Sequence, residues 1–227
     1  MTSFEALLAE ASADENVVGV VLFGSRGKGA FVDERSDWDV FVVVREHRGE
    51  RPFVHGAVLE TVETTLDELR SPPAWNRYSL AWLEPQLDKT GEVAAALRDA
   101  VRVDPVTAGE PLDAYVNSYY RSAKNARLGL DLASLLDAQE SIPSFLEFVF
   151  AVHGRLRPFN KWLAWELEQH PLPWNDLARL ERIAHTGDIT EQQALFRDAE
   201  SLARSHGLGT VIDTWEPDVA WLRGDES

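Results

Sequence analysis

Val17-Val18-Gly19-Val20-Val21-Leu22-Phe23-Gly24-Ser25-Arg26-Gly27-Lys28-Gly29, then Ser36-Asp37-Trp38-Asp39-Val40-Phe41-Val42-Val43-Val44, is the part of the sequence on which the fold turns. The first run is apolar throughout and rich in β-branched residues, which suits a strand buried on both faces. Gly24-Ser25 ends it, and small residues at such a point let backbone N–H groups approach a phosphate closely. Val40 to Val44 is the clearest strand of the chain, and Asp37 and Asp39 stand two apart where it begins. Period-two alternation turns both carboxylates to one side and Trp38 and Val40 to the other. Two carboxylates beside a phosphate-binding turn suit a hard divalent cation such as Mg²⁺, with substrate phosphates and water completing the octahedron. A pair of such ions can activate an attacking oxygen and stabilise a leaving pyrophosphate. Asp-x-Asp alone would also fit a hairpin with two solvated aspartates. The strand and Gly-Ser before it, and the apolar strand after it, favour a site.

Outward from this centre, Phe4, Leu7, Leu8 and Ala11 recur at helical spacing, with Thr2 or Ser3 as a cap. Arg45 to Pro52 reads as a turn. A third strand is expected over Val54 to Thr64, followed by a helix from Leu66 with Asp67 and Glu68 in its first turn. Beyond Pro72-Pro73 the pattern becomes helical and stays so. Asp88 to Val101 fits one helix, Val106 to Pro111 a connector, and further helices are expected near 112–136, 142–152, 158–169, 174–185 and 190–206. Gly207-Leu208-Gly209-Thr210 reads as a turn, because the Lys-Ser/Thr of a phosphate loop does not follow it. The fold class is α+β: a sheet with helices over 1–105, then an α-helical bundle over 106–227.

The order Phe23-Gly24-Ser25, a spacer, then Asp37-Trp38-Asp39-Val40 resembles the signature of the DNA polymerase β-like nucleotidyltransferase superfamily, over roughly residues 17 to 66. Trp38 is bulkier than the aliphatic residue usual at its position. The resemblance implies a mixed sheet, Mg²⁺ (two ions) on Asp37 and Asp39, and ATP or another NTP as co-substrate. It also implies a third carboxylate on a neighbouring strand. Glu60 and Glu63 are three apart in that strand and point to opposite faces, so one of them can join the aspartates. Similarity to antibiotic adenylyltransferases, where a Glu lies about six residues before the next helix, selects Glu60 as general base or third metal ligand. Gly24, Ser25, Arg26 and Lys28 would hold the triphosphate. In the helical half, Arg157 and Lys161 fall four apart on one helical face, and Lys124 lies in a mostly apolar helix. A looser similarity to the helical C-terminal domains of small-molecule nucleotidyltransferases makes these three nucleotide-binding candidates as well.

Composition narrows the partners. The chain has 227 residues, 22 basic and 38 acidic, for a net charge of −16. Cut at Asp104, each part carries 11 basic and 19 acidic residues, so the acidity is not an appended tail. Such a surface repels phosphate backbones, so nucleic acid is a poor first guess and no DNA partner is expected, whereas a cationic small molecule is favoured. At 44% hydrophobic and 26% charged the chain is globular rather than disordered. It has no Cys, hence no disulfide, thiolate zinc site or thiol nucleophile. The acidic, helical N-terminus does not read as a secretion signal, and no apolar run approaches the ~18 residues of a membrane span. A cytoplasmic location is expected, with no membrane partner.

Together these readings give a Mg²⁺-dependent nucleotidyltransferase. It would move an NMP, from ATP for preference, to a hydroxyl of a small, cationic acceptor of the aminoglycoside type. The alternatives are a toxin–antitoxin-type nucleotidyltransferase acting on protein or RNA, and a nucleotide-binding module without turnover.

Overall fold

The computed structural model describes residues 3–49 and 58–225, which cluster into two compact units, Met1–Arg102 and Val103–Ser227. In the first, α1 (Phe4–Ala13) starts where the Ser3 side chain accepts the Ala6 N–H. There follow β1 (Val17–Phe23), α2 (Gly24–Lys28), β2 (Trp38–Val44), β3 (Leu59–Thr65), α3 (Leu66–Arg70), a 3₁₀ segment Ala74–Leu80, β4 (Pro85–Asp88) and α4 (Glu92–Ala100). A capping box sets the start of α3: the Thr65 hydroxyl accepts the Glu68 N–H while the Glu68 carboxylate accepts the Thr65 N–H.

The strands form a mixed sheet in the order β3-β2-β1-β4, with β1 antiparallel to β2 and β4 and β2 parallel to β3. Alternation along β1 and β2 supplies both faces. Val18, Val21, Phe41 and Val43 pack with Leu69, Val93, Ala96 and Leu97 of α3 and α4. Val17, Val20, Leu22, Val40, Val42 and Val44 lie on the other side with Ala11 of α1. Both faces are therefore covered, which is why these strands read as continuous apolar runs. The glycine within β1 has a local reason. A Cβ at Gly19 would stand 2.6 Å from both the Leu87 carbonyl oxygen of β4 and a methyl of Val93.

The second unit opens with a 3₁₀ turn, Pro105–Ala108, and continues through α5 (Gly109–Arg127), α6 (Asp131–Val152), a 3₁₀ turn Asn160–Trp162, α7 (Leu163–Gln169), α8 (Leu177–Thr186), α9 (Ile189–Ser205), α10 (Gly209–Asp213) and α11 (Val219–Arg223). Its core includes the fully buried Tyr115, Tyr119, Phe145, Phe148, Phe150 and Phe196. No described helix is long and apolar enough to cross a membrane.

The α+β class stands as expected, while several elements differ from the sequence reading. β4 is a four-residue edge strand opening on proline, too short and too polar to carry a periodic signal. Asp88 ends that strand rather than starting a helix: its carboxylate accepts the N–H groups of Thr90, Gly91 and Ala94, and α4 begins at Glu92. The expected connector over 106–111 is helical, because Asp104 caps Val106 N–H and Pro105 fits a first turn. The helix expected over 112–136 stops at Arg127, where Gly129 (φ 71) turns the chain. Its remainder joins the next helix as α6, which runs through Pro143. There the burial of Phe145, Phe148, Val149 and Phe150 outweighs one lost backbone hydrogen bond. Gly209, read as part of a turn, begins α10. Within the third strand expected over Val54 to Thr64, residues 54–57 lie outside the described residues, as do residues 50–52 of the expected turn.

Candidate metal and nucleotide site

Three carboxylates meet at one end of the sheet. Asp39 pairs with Phe23 across β1 and β2, and with Glu60 across the parallel pair β2 and β3. Asp37 immediately precedes β2 and lies on the same side as Asp39. One oxygen from each of Asp37, Asp39 and Glu60 falls within 4.8 Å of the others. Glu63, the other candidate in β3, is directed elsewhere: it accepts the Arg48 N–H at 3.1 Å and pairs with His47 at 3.3 Å. The opposite faces expected for residues three apart in a strand account for this.

Burial, and then the charges of Asp37 and Glu60, push the Asp39 carboxyl up to about 6. That is the electrostatic mark of like charges crowded into a half-buried place, and it is relieved by a cation. The donor set fits a hard divalent ion, being oxygen only, and an octahedral ion spans roughly 4 Å between opposite ligands. Adjacent ligands of such an ion stand about 3 Å apart, so side-chain rotations that draw together the three oxygens, now within 4.8 Å, would let them share one ion.

The turn from β1 into α2 is shaped around Asp39. Gly24 has φ +65, and a Cβ there would stand 2.2 Å from Asp39 Oδ2. Gly27 is equally constrained, since a Cβ added to it would stand 2.3 Å from the Leu22 carbonyl oxygen. These glycines therefore let α2 lie directly against the strand ends. The carbonyl of Ser25 accepts the Ala30 N–H at 3.1 Å, closing the turn that leaves α2.

The cations of this turn are engaged within the same unit. Arg26 donates to the backbone carbonyls of Ser36 and Asp37 and lies over the Trp38 ring. Lys28 donates to the Ala81 carbonyl and lies 4.7 Å from the centre of the Tyr78 ring. Two aromatic residues in segments tied to α2, Phe31 (φ 56) and Trp82 (φ 65), hold left-handed backbone and are about half exposed. Nothing in their local sequence distinguishes them, since positive φ is read from glycine rather than from a bulky side chain.

Candidates in the helical unit sit in varied settings. Lys124 is exposed on α5. Arg157 donates to Asn160 Oδ1 at 2.7 Å, and Lys161 lies 5.4 Å from the centre of the Trp162 ring. Arg155, from the same basic stretch, pairs with the buried Glu166 and donates to the His170 carbonyl. His153 caps α6 and stands edge-on to His206, with ring centres 5.4 Å apart.

An open depression of about 720 Å³, lined by residues including Glu15, Asn16, Arg45, Arg48 and Lys89, lies at the opposite end of β1. The seven residues of β1 place it ~20 Å from the carboxylates. Arg48 is bound there to Asp14, and Lys89 to the carbonyls of Ala11 and Asp14. The carboxylate cluster is not among the residues lining this depression.

Three carboxylates at the end of a mixed sheet, beside a glycine turn, form a group that could hold a hard divalent cation. Residues 5–104 match the family model described as a nucleotidyltransferase domain. The match coincides closely with the first unit and supports, at the level of the superfamily, the resemblance carried by Phe23-Gly24-Ser25 and Asp37-Trp38-Asp39-Val40. Transfer of a nucleotidyl group, with an NTP and a divalent metal, is the chemistry typical of such domains. Comparison with curated proteins finds no match to the chain.

Proposed function

We propose that this protein transfers an NMP, from ATP for preference, to a hydroxyl of a small, cationic acceptor and releases pyrophosphate. The meeting of Asp37, Asp39 and Glu60 within 4.8 Å, against the tight Gly24 turn, is the observation that carries the reading. A Mg²⁺ ion held by Asp37, Asp39 and Glu60, with a second beside it, would supply positive charge to the α-phosphate of the nucleotidyl group and to the leaving pyrophosphate. The protein's own residues do the rest. Gly24 and Ser25 would leave backbone room for the phosphates at the strand end, and Lys28 is the side chain proposed to neutralise them; Lys124, Arg157 and Lys161 of the second unit are proposed as nucleotide-binding on the looser similarity of the helical half. Glu60 would take the proton of the attacking hydroxyl or complete the ligand set.

The acceptor class rests on charge. With −16 overall and acidity shared by both halves, a polycation such as an aminoglycoside is favoured over a phosphate-bearing polymer. The protein is proposed to work in the cytoplasm, where NTP and Mg²⁺ are both at hand.

The test is pyrophosphate release with each NTP and Mg²⁺ against a panel of aminoglycosides, lincosamides and other polyols. Turnover is expected with at least one acceptor. Asp37→Ala and Asp39→Ala should each reduce it by about 100- to 1,000-fold. An active Asp37→Ala/Asp39→Ala double variant would sink the mechanism, and nucleotide binding without pyrophosphate release would favour a non-catalytic module.

A further inference from the structure

Asp37 is the least supported of the three carboxylates by the sheet itself. The paired register of β2 runs from Trp38 to Val44, so Asp37 lies one residue outside it. Before Asp37 the chain forms a turn closed on itself: Ser36 N–H donates to the Asp33 carbonyl, and Asp33 N–H to the Ser36 hydroxyl. Asp37 thus hangs between a local turn and a strand, and a metal ligand in that position needs another anchor.

Arg26 provides one. Its Nε donates to the Asp37 carbonyl at 3.0 Å and reaches the Ser36 carbonyl at 3.2 Å, while its Nη2 donates to the Ser36 carbonyl at 2.8 Å. Its guanidinium carbon stands 4.5 Å from the centre of the Trp38 ring. Trp38 in turn stacks on Phe4 of α1, with centroids 4.7 Å apart and planes 19° from parallel, and its backbone N–H is fixed to the Val58 carbonyl at 2.9 Å. The order Phe4, Trp38, Arg26 is therefore a stack that ends on the two carbonyls preceding β2. A planar fork with adjacent donors can reach successive carbonyls while resting on an aromatic face; an ammonium or an amide cannot do both.

We infer that Arg26 is a positioning residue for the metal ligand Asp37, with Trp38 as its platform, rather than a direct ligand of the triphosphate. The bulk of Trp38 between the two aspartates, out of keeping with the aliphatic residue usual there, gains a purpose. It lets α2, which abuts Asp39 through Gly24, also set the backbone of Asp37. One short helix then holds both aspartates.

The inference rests on the metal-site reading above, and the experiment separates the two. Mn²⁺ binding to the full chain is titrated by electron paramagnetic resonance without nucleotide, for wild type, Asp37→Ala, Arg26→Gln, Arg26→Lys and Trp38→Leu. Pyrophosphate release is followed in parallel, with circular dichroism as the check of folding. Arg26→Gln should weaken Mn²⁺ binding by about 10- to 100-fold, the range typical when the support of a metal ligand is removed. It should lower kcat by a similar factor while KM for NTP moves less than about 3-fold. Trp38→Leu should lose about 10-fold in Mn²⁺ affinity, and Arg26→Lys should recover only part of the loss.

If Arg26→Gln binds Mn²⁺ like wild type but raises KM for NTP, Arg26 is a phosphate ligand and the inference is overturned while the metal site stands. Should wild type and Asp37→Ala bind Mn²⁺ alike, the metal-site reading fails and the inference with it. If Arg26→Gln does not fold, the Mn²⁺ affinities of Arg26→Lys and Trp38→Leu decide, and wild-type values for both overturn the inference.

Discussion

Gly24 is the residue at which backbone and chemistry are most tightly joined. Its φ is +65, and a Cβ at this position would come within 2.2 Å of Asp39 Oδ2, so any side chain must move the carboxylate, the turn, or both. Gly24→Ala is expected to cost roughly 1–2 kcal/mol in stability from left-handed backbone, measurable by urea unfolding. It should cost turnover about 100-fold or more, since displacing a reacting group by about 1 Å has that effect. An active Gly24→Ala enzyme with wild-type kinetics would show that Asp39 has no fixed place in the reaction. The same spot shows how far residue types alone could be read. Spacing sufficed to put Asp37 and Asp39 on one side and to split Glu60 from Glu63, because strand alternation is a local property. The commitment of Arg26 to the Ser36 and Asp37 carbonyls was not legible, since an Arg in a glycine-rich loop reads equally as a phosphate ligand.

Elements of the helical unit are joined by ion pairs that titrate. Glu200 of α9 is buried, accepts from Arg223 of α11 through both its oxygens, and accepts from Arg204 one turn along α9. The Arg223 hydrogen bonds, with Arg204 adding to them, hold its carboxyl below the ordinary value. A group depressed on folding contributes stability that is full above its unfolded pKa, about 4.3, and is lost as pH falls through the lower folded value. Glu200→Gln should therefore be less stable than wild type at pH 7, with the gap closing as pH drops below about 4. Thermal unfolding across pH 3 to 7 reads this directly, and a gap that persists unchanged into acid would assign the effect to packing instead. Element boundaries were the least legible part of the sequence. β4 exists because β1 offers it a ladder, and α6 continues through Pro143 because its aromatic face is buried. In each case a partner distant in sequence outweighs the local signal.

Across the whole molecule, 38 acidic against 22 basic side chains leave an excess of like charge that opposes compaction. Raising NaCl from about 10 mM to 150 mM shortens the screening length from ~30 Å to ~8 Å, so Tm should rise over that interval. A falling Tm would mean that surface pairs such as Arg179–Asp198 and Arg182–Glu191 outweigh the net repulsion. Composition and periodicity were enough to reach an α+β chain with a valine-rich sheet, an acidic character, and two aspartates at a strand end beside Gly24-Ser25. Those features follow from alternation and turn chemistry, which act over a few residues. Glu60 was selected over Glu63 by the resemblance, but its meeting with the aspartates, the partners of Arg26 and Lys28, and the place of β4 depended on strands and helices meeting from distant parts of the chain. The parallel register of β2 on β3 brings Glu60 opposite Asp39, and the Phe4–Trp38–Arg26 stack secures the backbone of Asp37. Both are contacts between segments that no local pattern joins, so folding had to bring them together before they could be seen.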